Sequence, residues 1–334
     1  MSLKKKLIIT ICMIFAFCCA YSMADRILNF KTEHGVVQAR AFYSQPKNTV
    51  DVAFLGSSHV HCDINTAYLW ERFGIAGYDY SAAEQPLWIT YYYLQEFCKY
   101  QNPGLVVIDL YSPARFKDDY QYNWLGDNVY GMRFSLTKLQ MLHDACEPDR
   151  YGDYFPSISA WHSEYKSVQI PDVIQQLKKD DLEAFKGYTP YMNVSVQPEP
   201  ELNETRSGGF TAKSELYLMK IIEYTRAHDI DLFLMVSPYI TISEDETVYN
   251  RIKEIAEQYD VSFISTNYNY QDMGLNFSTD FNDASHLNYL GSCKFTEFLG
   301  HEIKERFDIP DRRGQNGYES WDRHVEMINE QVYR

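Results

Sequence analysis

The stretch DVAFLGSSHVHCD (residues 51–63) begins as a continuous apolar run and then breaks into small and polar residues. An apolar run of this length, closed by a glycine, has the pattern of a strand buried on both faces. Val50–Leu55 is therefore read as a strand. A buried strand needs no more than a turn at its end. This one ends in Ser57, Ser58 and His59, with His61 two places on. That supplies a nucleophile type, a base type and a pair of potential metal ligands.

Outward from this stretch, strands and helices alternate. Ile64–Phe73 reads as a short helix and Ile75–Tyr80 as a second strand. Pro86 opens a helix through LWITYYYLQEFCKYQ, as proline does at a first helical turn. PGLVVIDLY (103–111) is the clearest buried strand. Residues 112–212 are aromatic and polar with no comparable run, and read as an irregular, partly helical insertion. The alternation then resumes. SELYLMKIIEYTRAH (214–228) has helical spacing, IDLFLMVSPY (230–239) is a strand and ETVYNRIKEIAEQYD (246–260) a helix. VSFIST (261–266) is a fifth strand, and NYLGSCKFTEFLGHEIKERF (288–307) the closing helix. Alternation of this kind implies a parallel sheet with right-handed crossovers. In such sheets the site lies at the carboxyl ends of the strands, where Gly56-Ser57-Ser58 falls.

Hydrophobic and charged contents of 45% and 23% are those of a globular chain. The formal charge of −15 argues against nucleic acid, which requires a basic footprint. The 28 tyrosines suit sugar or peptide grooves and cores alike. Lys4, Lys5 and Lys6 precede an apolar run from Leu7 to Ala20. This is a signal anchor, or a secretory signal cleaved near Ser22 and Ala24. As a helix, Leu7–Ala24 would be about 27 Å long, close to the thickness of a bilayer core. Either way the lysines stay inside and the rest is exported. The chain is then single-pass in the cell membrane with an extracytoplasmic domain, or secreted. The expected divisions are 1–24 signal, 25–49 stalk or early pairing segment, 50–309 α/β domain with its insertion at 112–212, and 310–334 tail. That tail has room for an amphipathic helix near Tyr318–Val332. Cys62, Cys98, Cys146 and Cys293 are spread singly, which suits neither a disulfide scaffold nor a zinc knuckle. One incidental disulfide stays open.

A serine hydroxyl is a poor nucleophile without a base, and the base needs an orienting partner. DFNDASHLN (280–288) places Asp283 and His286 three apart, between the fifth strand and the closing helix. One loop could deliver both. At this point the chain resembles the SGNH/GDSL hydrolase superfamily, through FLGSSH and DASHLN. It resembles most the exported, membrane-anchored branch that holds the D-alanine transfer protein of teichoic acids and the alginate and peptidoglycan O-acetyltransferases. The resemblance spans Val50–Tyr111 and Ser214–Phe307. It implies a three-layer α/β/α, flavodoxin-like parallel sheet of about five strands. By position Ser58 matches the nucleophile, Asp283 the orienting acid and His286 the base, while Ser57 stands where the family has Asp. Singly, the serine pair also fits a turn capping the next helix, Asp283 a helix cap and His286 a buried histidine.

The expected oxyanion donors depart from the family. SAAEQP follows the second strand without a Gly, and YSPARF follows the third without Gly-x-Asn. The Ser58 N–H, an N–H from Ala82–Glu84 (Ala83 at its centre) and the Gln85 amide are the candidates, although Gln85 equally suits a cap for the helix after Pro86. His59 flanks the nucleophile as substrate contact or packing, and His61 begins the next helix. A rival reading takes His59-x-His61 as metal ligands, but no other strand end adds a histidine. Arg115 fits an anionic substrate group or a salt bridge, and Trp161, His162 and Tyr165 a groove-facing patch or core packing. The resemblance implies an exported serine-dependent O-acyltransferase acting on a cell-envelope polymer, with no cofactor or metal. An acyl donor, a glycan acceptor and a multi-pass membrane-bound O-acyltransferase are its implied partners. A carbohydrate or acyl esterase, or a non-catalytic binding protein of the same fold, are the alternatives.

Overall fold

The computed structural model describes residues 2–29, 31–177 and 182–332. Its centre is a five-stranded, wholly parallel sheet: β1 (Val52–Leu55), β2 (Gly77–Asp79), β3 (Leu105–Asp109), β4 (Asp231–Val236) and β5 (Ser262–Ser265). The spatial order is β2-β1-β3-β4-β5, the flavodoxin-like order whose switch point lies between β1 and β3.

The alternation of side chains along each strand builds two cores. Ala53, Leu55, Val106, Ile108, Leu234 and Val236 face one side. There they meet α5 (Leu87–Phe97), α6 (Ala212–Ala227) and α7 (Ser243–Gln258). Val52, Phe54, Leu105, Val107, Phe233 and Met235 face the other. Their partners are α3 (Ser58–Asp63), α4 (Thr66–Phe73) and α8 (Tyr289–Arg306). This is the expected three-layer α/β/α arrangement. A strand buried on both faces is apolar along most of its length, which is why β1 and β3 as far as Ile108 read as unbroken runs.

The structure adds to or departs from the sequence reading in several places. The expected stalk at 25–49 contains α2 (Val36–Phe42), whose Val36, Ala39 and Phe42 lie fully buried in the first core. Strand β3 stops at Asp109 instead of running to Tyr111. The Asp109 carboxylate takes the Tyr111 N–H at 3.2 Å and turns the chain into a short helix, Tyr111–Arg115. The tail beyond Pro310 is docked. Helix α9 (Glu319–Val332) buries Trp321, and Trp70 Nε1–H donates to Asp322 Oδ1 at 2.8 Å.

The insertion is helical at first, with helices at 125–130, 136–145, 158–164 and 170–177. Its last part is extended. Helix 158–164 sets Ala160 into the first core. Its Trp161 ring lies 5.0 Å from that of Tyr21 in the N-terminal helix α1 (Leu3–Leu28). Among the described residues, α1 is the helix long and apolar enough to cross a membrane. Cys62, Cys98, Cys146 and Cys293 are free thiols.

Candidate active site

Ser58 sits at the first turn of α3, directly after the carboxyl end of β1. The approach requires Gly56: its φ is +149°, and a Cβ there would lie 2.9 Å from the Asp109 Cβ. Asp109, wholly buried, fixes three strand ends at once. Its carboxylate accepts the N–H of Tyr111 after β3 and the N–H of Ser237 after β4 (3.0 Å), and the Ser57 hydroxyl after β1 lies 3.5 Å from it. Burial raises the Asp109 carboxyl pKa, and these hydrogen bonds oppose the rise. Ser57 thus points into the strand-end network.

Ser58 Oγ lies 2.8 Å from His286 Nε2. His286 Nδ1 lies 3.1 Å from each Asp283 carboxylate oxygen. With Nδ1–H given to Asp283, Nε2 is the acceptor that faces the serine hydroxyl. Asp283 is itself fixed by the N–H groups of Ser285 (2.8 Å) and His286 (2.9 Å) and by the Asn282 amide (2.8 Å). Partial burial pushes its carboxyl up, but His286, Ser285 and Asn282 overcome this and hold it well below the ordinary carboxylate range. The three residues expected to act together are therefore assembled.

Two devices that sequence reasoning missed hold the base loop. Asp63, at the end of α3, accepts the N–H of Leu287, the neighbour of His286, at 2.8 Å. The insertion's extended segment runs beside the loop as well. Ser195 N–H donates to Phe281 O (2.8 Å), Gln197 N–H to Phe277 O (2.8 Å) and Tyr289 N–H to Tyr191 O (2.7 Å). The Tyr191 ring meets His286 edge-on at 5.8 Å. A strap of backbone hydrogen bonds leaves no residue-type signature.

The remaining expected residues fall as follows. His59 is fully buried and stacked on Tyr111 at 4.0 Å, edge-on to Tyr239, as packing behind the base. Among the described residues, neither of its ring nitrogens has a hydrogen-bond partner. Burial first, then the nearby His286, holds its pKa well below the usual histidine value. His61 belongs to α3 and turns Nδ1 to Ser81 Oγ at 3.0 Å. The two histidines face different neighbours, and among the described residues no three His, Cys, Asp or Glu side chains converge on a point.

Ala83 is corrected as an oxyanion donor, because its N–H is already given to the His34 carbonyl at 2.7 Å. Gln85 lies two residues before α5, buried, and donates from Nε2 to the Thr90 hydroxyl at 3.0 Å, a side-chain contact and not a backbone cap. Arg115 pairs with Asp245 at 2.9 Å and lies over the rings of Tyr239 and Tyr111. The Ser58 N–H, at the start of α3, has no intrahelical acceptor. A cavity of about 550 Å³ beside β5, lined by Tyr249, Lys253, Ser265 and Tyr268 among others, contains none of the triad residues.

No family model matches the chain, and no curated protein does. Solved structures give remote likenesses. A GDSL-like lipase from Bacteroides thetaiotaomicron is 12% identical, with 76% of this chain and 87% of that one covered and a TM-score of 0.36. A mutant acetyl-xylooligosaccharide esterase from Geobacillus Stearmophilus is 12% identical, with 79% and 97% covered and a TM-score of 0.38.

Proposed function

We propose that the chain is a serine-dependent acyl-transfer enzyme of the SGNH type. The observation that carries this is the unbroken relay from Ser58 Oγ through His286 to Asp283, at the carboxyl end of the sheet. Each member alone has a plainer role. Their hydrogen-bonded sequence is what a hydroxyl nucleophile requires.

In the first half-reaction Ser58 Oγ attacks the carbonyl carbon of an acyl ester, and its proton passes to His286 Nε2. The tetrahedral oxyanion collapses, the ester C–O bond breaks and His286 returns the proton to the leaving oxygen. In the second half, a hydroxyl of the acceptor gives its proton to His286 and attacks the acyl-serine, and Ser58 regains its proton. Asp283 stays ionised throughout and fixes the imidazole.

The acceptor is read as a hydroxyl of a cell-envelope glycan. One feature supports this: the N-terminal segment suits export with a membrane anchor. The chain lacks the Gly and Asn that would complete an oxyanion hole, and a missing donor costs about 3–4 kcal/mol whether the acceptor is water or a sugar hydroxyl. A membrane-bound O-acyltransferase that loads the serine is the corresponding partner.

The test is intact mass of the full chain in detergent after exposure to a fluorophosphonate, beside Ser58→Ala. One adduct, absent from the variant, is expected. Absence of an adduct on the unaltered chain would overturn the nucleophile assignment and favour a binding role. Transferase and esterase then separate on whether an added oligosaccharide accelerates release of the acyl group.

A further inference from the structure

The apolar stretch of α1 ends where the folded domain begins, and the domain grips it there. Ser157 N–H donates to the Tyr21 hydroxyl at 3.1 Å, and Trp161 Nε1–H donates to Asp25 Oδ1 at 3.2 Å. The Tyr21 and Trp161 rings lie 5.0 Å apart. Helices 158–164 and 170–177 of the insertion both pack against α1.

These two helices leave large apolar side chains in the open. Ile170 is 77% exposed and Ile174 56%, one turn apart on one face. Ile158 and Tyr165 are also exposed and lie two turns apart, again on one face. The exposed apolar side chains of α1 reach up to this level: the Phe17 ring, 69% exposed, lies 6.4 Å from that of Tyr21. An apolar surface continuous with a membrane span, and level with the span's exit, has the bilayer as its neighbour. The level is also marked by a Tyr–Trp pair, the residues that favour the headgroup zone.

We infer that helices 158–164 and 170–177 seat in the interfacial zone of the same bilayer that α1 crosses, with Ile158, Tyr165, Ile170 and Ile174 toward the acyl chains. A short helix with one apolar face suits this in-plane position. The insertion would then be a second membrane contact that keeps the domain from turning freely about its anchor. The inference rests on α1 being an uncleaved membrane span.

The experiment uses the full chain reconstituted into phosphatidylethanolamine–phosphatidylglycerol vesicles. The photo-crosslinker p-benzoylphenylalanine is placed singly at Ile170, Ile174, Ile14 in α1, or Ile242 at the start of α7. Lipid adducts are read by mass. Adducts at 170 and 174 comparable to that at 14, with at least tenfold less at 242, are expected. An adduct at 14 with none at 170 or 174 would overturn the seating while leaving the anchor intact. Crosslinking of 170 or 174 to a second protein chain instead of lipid would overturn it in favour of an assembly contact. No adduct at any position would overturn the anchor reading and the seating together.

Discussion

The imidazole of His59 lies 5.3 Å, centroid to centroid, from that of His286, yet only His286 has hydrogen-bond partners. Burial keeps His59 neutral, and its ring is spent on stacking against Tyr111. Its Nδ1 lies 3.7 Å from Asp63 Oδ2, too far for a hydrogen bond. Proximity to the serine therefore does not make it a base. His59→Phe should leave the rate of fluorophosphonate labelling within about tenfold, because a ring is kept and no proton route is lost. His286→Phe should lower it by roughly a thousandfold or more. Labelling rates of the two variants side by side are the check. Equal losses would mean that His59 takes part in proton transfer.

Asp283 should behave as a fixed anion. His286, Ser285 and Asn282 depress its pKa against the opposing effect of burial. A depressed carboxyl contributes to stability above its unfolded value, about 3.9, and loses that contribution only as pH falls through the lower folded value. Between about pH 8 and about pH 5 it is ionised in the folded chain. Asp283→Asn should slow labelling by about 10³–10⁴-fold near pH 8, read as the labelling rates of the two chains side by side. A loss under about tenfold would show that the carboxylate does not fix the imidazole.

Asp109 should matter to both fold and site. Its carboxylate is the acceptor for two backbone N–H groups, of Tyr111 and Ser237, at the ends of β3 and β4. Asp109→Ala strands both, at about 1–3 kcal/mol each. The loss expected in urea unfolding is about 2–5 kcal/mol, with Asp109→Asn losing less because one carbonyl oxygen remains. Labelling of Ser58 should fall with it, since Gly56 packs directly on the Asp109 side chain. A loss under about 1 kcal/mol in Asp109→Ala would show that water replaces the carboxylate there.

The layered sheet was legible because β1, β3 as far as Ile108 and β4 from Leu232 are unbroken apolar runs, and the triad because its members lie in two short motifs at strand ends. What was not legible depends on backbone. The Ala83 N–H looked available until the His34 carbonyl was found on it, and His34 lies in a segment that sequence reads as a stalk. Helix α2 escaped for a similar reason. VVQARAF is seven residues long, too short for helical periodicity to stand out from an apolar run. The strap formed by residues 188–197 is specified by main-chain groups that every residue carries. Docking of the tail turned on Trp321, whose burial against Trp70 follows from tertiary proximity across the whole chain.

Buried histidines should make the fold acid-sensitive in a way one substitution can isolate. His324 on α9 is fully buried. Its Nε2 lies 3.0 Å from Thr66 Oγ1, and its Nδ1 has no partner. Burial first, then the Lys186 charge, lowers its pKa well below the ordinary value. The folded chain thus holds it neutral, while the unfolded chain protonates it below about pH 6.5. Its contribution to stability is present above that pH and is lost as pH falls toward the folded value, at up to about 1.4 kcal/mol per pH unit. His59 and His61, also lowered by burial, act in the same direction. Asp63 and Asp79, raised by burial, act oppositely: their contribution is whole below about pH 3.9 and is lost as pH rises through their folded values. In His324→Gln the difference in unfolding free energy between about pH 7.5 and about pH 5.5 should shrink by about 1 kcal/mol, and by no more than about 1.4 kcal/mol, relative to the unaltered chain. Urea unfolding of the two chains at both pH values decides it. An unchanged difference in His324→Gln would mean that the buried ring takes up its proton in the folded state as readily as in the unfolded one.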